Sequence, residues 1–99
     1  MNLTVGSHLR APKSACEVVV VRPPSGAGVL TCAGDEMGTE TRRADGAEDA
    51  QGPPVALGKR FHDEESGLEV LCVQPGAGPL TFAGRELRLR VAAALPASD

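Results

Sequence analysis

Glu17-Val18-Val19-Val20-Val21-Arg22-Pro23-Pro24-Ser25-Gly26-Ala27-Gly28-Val29-Leu30-Thr31-Cys32-Ala33-Gly34-Asp35-Glu36-Met37 is the stretch on which the fold turns. Its unbroken β-branched run favours an extended backbone that packs on a pleated surface. Paired prolines and two glycines then interrupt it. Val29 to Cys32 supplies a second short strand. Ala33-Gly34-Asp35 reads as a tight turn with Gly providing positive φ. The same order returns later as Glu69-Val70-Leu71-Cys72-Val73, Pro75-Gly76-Ala77-Gly78, Leu80-Thr81-Phe82, Ala83-Gly84-Arg85 and Glu86-Leu87.

Working outward, residues 3–37 align with 55–87. Leu3, Val5, Gly6 and Leu9 fall on Val55, Leu57, Gly58 and Phe61. Ser14, Glu17 and Val18 fall on Ser66, Glu69 and Val70 without a gap. The one length change shortens Pro23-Pro24-Ser25-Gly26 to Pro75-Gly76, inside a turn, where solvated backbone tolerates it. An even-numbered deletion also preserves the side-chain phase of the strands on either side. Repeats this short cannot bury a face alone. The expectation is therefore an all-β protein of two tandem short-strand units packed as a pseudo-dimer. Each unit is expected to contain a hairpin, with Gly26-Ala27-Gly28 and Gly76-Ala77-Gly78 as its turns. Leu87-Arg88-Leu89-Arg90-Val91 alternates strictly and predicts a half-exposed strand with both arginines in water. A helix from Leu87 to Leu95 is the competing reading.

The organisation that follows is a first repeat at 1–37, a linker at 38–54, a second repeat at 55–95 and a tail at 96–99. The linker is polar and almost free of large apolar groups, so little there offsets the entropy of ordering, and flexibility is expected.

Composition narrows the function. A chain of 99 residues is one domain or two very small halves with a thin stability margin. Net charge is −3, and the basic residues are scattered among acids with no stripe to track a phosphate backbone. There are two Phe and no Tyr or Trp, so aromatic platforms for bases are lacking. Neither a nucleic acid nor a membrane is expected as partner, since Val18–Val21 is far too short to span a bilayer. No basic-then-apolar leader is read at the N-terminus. Three cysteines without paired spacing fit reduced thiols in a cytoplasm.

The units resemble the desulforedoxin-like family, which includes the N-terminal domain of desulfoferrodoxins. That family carries C-x-x-C-G, a Val-rich strand, a Gly-rich turn and L-x-C-C-G-x-x-M, and four thiolates hold iron or zinc. Val18–Val21, Gly26-Ala27-Gly28 and Leu30-Thr31-Cys32-Ala33-Gly34-Asp35-Glu36-Met37 follow the pattern; Phe61 to Gly67 stands where the knuckle would be. The resemblance implies a rubredoxin/desulforedoxin-like fold and a tandem copy imitating the family's homodimer. It does not carry the metal over. The four ligand positions correspond to Ala11, Ser14, Cys32 and Ala33 in the first unit, and to Asp63, Ser66, Phe82 and Ala83 in the second. A tetrahedral structural site needs four good donors. Asp63 and Ser66 can instead close a turn, and Phe82 can fill the space with hydrocarbon.

Other candidate sites are few. Cys32, Cys16 and His8 could make a three-donor metal site, but free Cys is commonly a small buried hydrophobe. Cys72, amid apolar residues, reads as core. No neighbouring pattern marks any of the thiols as a nucleophile. His62-Asp63-Glu64-Glu65 reads as a solvated turn. Gly52 to Arg60 fails as a phosphate loop in spacing and lacks Ser or Thr after Lys59. No Ser–His–acid arrangement is suggested. What remains is a non-catalytic interaction module with no cofactor, an accessory subunit or assembly protein. It would bind a protein partner or further copies through strand edges and the Arg88/Arg90 face. The alternative is a small zinc- or iron-binding protein.

Overall fold

The computed structural model describes residues 3–90; Met1, Asn2, the end of the second repeat at 91–95 and the 96–99 tail lie outside the described residues. The elements in chain order are β1 (His8–Arg10), β2 (Glu17–Arg22), β3 (Leu30–Cys32), β4 (Asp35–Glu36), a 3₁₀ turn (Ala47–Asp49), β5 (Pro54–Val55), β6 (Arg60–His62), β7 (Glu69–Gln74), β8 (Gly76–Ala77), β9 (Leu80–Phe82), β10 (Arg85–Glu86) and β11 (Arg88–Arg90). Among the described residues there is no α-helix, and every strand pair is antiparallel. The class is all-β, as the β-branched runs require.

Two sheets carry the molecule. One has five strands in the order β1-β2-β7-β6-β11, the other four in the order β10-β9-β3-β4; β5 and β8 form a separate two-stranded ladder. Strands alternate between buried and part-exposed residues, so each sheet offers one apolar face. Leu9, Val18, Val20, Val70 and Cys72 from the first meet Leu30, Cys32, Leu80 and Phe82 from the second in one core. Phe82 is its largest fully buried side chain, and its burial contributes about 1.5–3 kcal/mol.

The two repeats alternate within both sheets. Replacing each strand by its repeat equivalent, β1-β2-β7-β6 and β10-β9-β3-β4 read the same from either end. At the middle of the larger sheet Val19 faces Leu71, and at the middle of the smaller one Thr31 faces Thr81. Each of these pairs joins equivalent positions of the repeat. The backbone bonds are duplicated too. Gly6 N–H donates to Val20 C=O as Gly58 N–H does to Cys72 C=O. Met37 N–H donates to Leu30 C=O as Leu87 N–H does to Leu80 C=O. Ala33 N–H donates to Pro79 C=O, and Ala83 N–H reciprocates to Val29 C=O.

Local chemistry matches the sequence at the tight turns and departs from it at the longer ones. Ala33-Gly34 and Ala83-Gly84 connect paired strands with positive φ at all four residues: 54° and 89°, then 53° and 81°. A two-residue loop of this kind is a type I′ turn, whose twist suits the strands it joins. The expected hairpins between β2 and β3 and between β7 and β9 do not form. In each half the chain leaves one sheet after its Val-rich strand and enters the other. The crossing places the apolar face of each return strand opposite that of the strand before it. Gly76-Ala77 is accordingly not a hairpin turn but β8, paired with β5.

The segment 38–54, expected from composition to be flexible, is tied to the body at several places. Arg10 and Gly38 exchange both backbone bonds, Ala44 N–H donates to Pro12 C=O at 2.7 Å, and the Arg43 guanidinium donates to the Ala15 carbonyl and to Glu17. Ala47, in the 3₁₀ turn, is buried. Backbone and long polar side chains make most of these tethers, which is why apolar content gave no sign of them.

Candidate functional site

The Arg88/Arg90 face lies on β11, at one edge of the five-stranded sheet. Alternation puts Arg88 and Arg90 on the face opposite the one Leu89 shares with Phe61. All three β11 residues are exposed, Leu89 included at 48%. Arg88 sits beside His62 and Arg90 beside Arg60. Arg90 and Arg60 both reach Glu69, at 3.5 and 3.4 Å, and Glu69 is itself buried. Among the described residues Arg88 meets no acid within ion-pair distance. Among the described residues the first repeat has no strand equal to β11, and the Gly38 bridge alone touches β1 there.

The turn from Asp63 to Gly67 is closed by side-chain and backbone hydrogen bonds. Asp63 is buried, and its carboxylate accepts from Ser66 N–H at 3.2 Å and Ser66 Oγ at 2.7 Å. The Arg85 guanidinium clamps it through Nε at 3.0 Å and Nη2 at 2.7 Å. Those bonds, Arg85 foremost, hold the Asp63 carboxyl well below the usual carboxylate range against the opposing effect of desolvation. The expected solvated turn is thus split: Glu64 and Glu65 point into water while Asp63 is internal. His62 Nδ1 is buried with no hydrogen-bond partner among the described residues, and Nε2 lies 3.9 Å from Glu64.

The three candidate metal donors separate. His8 lies on the outer side of β1 and bonds Glu17 at 2.8 Å. Cys16, Cys32 and Cys72 are all buried in the one core. Ser14 sits in the same nest: its hydroxyl donates to Ala77 C=O at 2.6 Å, and Cys32 Sγ lies 3.2 Å from that same oxygen. Cys72 Sγ lies 3.2 Å from Gln74 C=O. Among the described residues no group of three His, Cys, Asp or Glu side chains is arranged to hold an ion. Contact with Cys32, then burial, pushes the Cys16 thiol up. Cys32 is lowered by the Cys16 thiol, against burial, with help from Ser14. Burial raises Cys72.

Two features escaped sequence reasoning. Arg85 is remote from Asp63 in the chain, and its first-repeat equivalent is Asp35, so the repeat itself hid the clamp. Cys72 shares a core with the other two thiols because β7 pairs with β2, a pairing between repeats that spacing does not give.

No family model, curated protein or solved structure matches this chain. Among the described residues no helix is long and apolar enough to cross a membrane.

Proposed function

We propose that this chain is a non-catalytic protein-interaction module, an accessory or assembly protein, that receives a protein partner or a second copy at the β11 edge. The observation that carries this reading is the edge itself. β11 is the outermost strand of the larger sheet, all of its residues are exposed, and two of the three are arginines. An edge strand presents unpaired backbone groups that another strand can complete. Arg88 adds a charge free of described acids, suited to an acidic partner surface. The scaffold beneath it is a pseudo-dimer of degenerate desulforedoxin-like units. The palindromic strand orders, the like-with-like central pairs and the duplicated backbone bonds support that view. Phe82 and the Asp63–Arg85 clamp stand where two of that family's ligand positions would be.

Sedimentation velocity and crosslinking capture, run on the wild type and on Arg88→Glu/Arg90→Glu, test the reading. Self-association or a captured partner in the wild type, lost in the variant with the circular-dichroism spectrum intact, is expected. A monomer with no partner, or an association indifferent to both substitutions, overturns it.

A further inference from the structure

Arginines far apart in the chain meet at one end of the larger sheet. Arg22 pairs in register with Glu69, Glu69 with His62 and His62 with Arg88, in a single row across β2, β7, β6 and β11. Residues directly opposite one another share a face. Arg60 and Arg90 stand side by side in the next row of that face. Their neighbour Phe61 packs on the core, so these guanidinium groups lie on the side turned away from it. Between them Glu69 is buried, with Arg60 at 3.4 Å and Arg90 at 3.5 Å. Glu64 stands at the rim, 3.9 Å from His62. Among the described residues Arg22 and Arg88 meet no acid within ion-pair distance. This end of the face keeps an excess of positive charge in a chain of net charge −3. The other side of β11 is apolar: Leu89 is exposed and pairs with Phe61. A strand added outside β11 would extend both faces at once. Its residues opposite Arg88 and Arg90 would join the cationic face, and the one opposite Leu89 would lengthen the Phe61–Leu89 strip.

We propose that the β11 edge takes an extended protein segment of the pattern acid–apolar–acid, paired backbone to backbone with Arg88, Leu89 and Arg90. The inference rests on the reading of β11 as the receiving edge and adds the chemistry of what it receives. Charge complementarity sets the outer positions: a carboxylate opposite Arg88 or Arg90 is attracted, and a Lys or Arg there is repelled. Leu89 sets the middle position, because a charge held against Leu89 and Phe61 would lose water without gaining a partner. The field of the four arginines draws an acidic segment toward the edge, and salt screens it. A nucleic acid would meet the arginines, but it would neither cover Leu89 nor pair with the backbone of the strand.

Fluorescence anisotropy of labelled probes on the folded full chain tests this. A peptide of alternating Glu and Val is compared with one of equal composition whose Glu and Val are gathered into separate blocks. The alternating peptide methylated on its backbone nitrogens and a single-stranded oligothymidylate complete the set. The alternating peptide is expected to bind, and less tightly as salt rises. The block peptide is expected to bind about tenfold more weakly, and the methylated one not at all. Leu89→Asp, at an exposed position, weakens the alternating peptide about tenfold and leaves the circular-dichroism spectrum unchanged. No binding of the alternating peptide, equal binding of the block peptide, tighter binding of the oligothymidylate, or indifference to Leu89→Asp would overturn the proposal. If any of those results came with a partner captured by the wild type and lost in Arg88→Glu/Arg90→Glu, the receiving edge would stand and only its stated preference would fall.

Discussion

Asp63 shows what one buried, clamped carboxylate does for a fold. Folding lowers its pKa, so the stability it contributes is complete above the unfolded-state value of about 3.9. That contribution disappears as pH falls from there toward the depressed native value. Asp63→Asn is therefore expected to lower the urea midpoint at pH 7. It should also flatten the acid limb below about pH 4, relative to the wild type, in urea titrations between neutral and acid pH. An identical acid limb in the two proteins would refute the clamp's role. The turn made by Asp63 and Ser66 was legible because its partners are three residues apart and bond through local backbone. Arg85 was not, since nothing in a spacing of 22 residues marks an ion pair.

Among the elements, the two Gly-Ala-Gly segments have equal sequence and unequal surroundings. A Cβ on Gly76 would fall onto the Cys16 amide nitrogen and within 2.8 Å of the Ala15 carbonyl carbon, both backbone atoms. The repeat-equivalent Gly26 has nothing within 4 Å. Gly76→Ala should cost about 1–3 kcal/mol, as overpacking against an unyielding neighbour does. Gly26→Ala should stay within about 0.5 kcal/mol. Paired denaturation curves measure both, and equal losses would mean that β8 is not packed against Ala15 and Cys16 as described. The longer strands and the tight turns at Gly34 and Gly84 could be read from β-branched runs and glycine placement, while the positive φ of Ala33 and Ala83 could not. The crossing between sheets could not, because a Pro/Gly segment of this length suits either a hairpin or a bridge to another layer. Which one forms depends on where the apolar faces find their match.

At the scale of the whole molecule, each repeat completes its sheets with strands of the other, so neither half owns a core. A specific protease site placed at Asp45-Gly46, on an exposed stretch of the connecting segment, permits a single cut between repeats. The two fragments are expected to co-elute in native buffer and to separate in denaturant, because β2–β7 and β3–β9 remain paired. Fragments that part in native buffer would contradict the proposed pseudo-dimer. The repeat alignment anticipated an all-β fold from composition and phase alone. It could not anticipate the tethers of residues 38–54, which depend on arginine and backbone bonds rather than apolar burial. The pairing of Val19 with Leu71 and of Thr31 with Thr81 has one more consequence. Where a substitution is copied into both repeats at well-separated positions, each copy acts in its own neighbourhood and the effects sum. At these central positions the new side chain meets its own twin, so charge or bulk tolerated singly clashes once doubled, and a well-matched contact is gained only by the double variant.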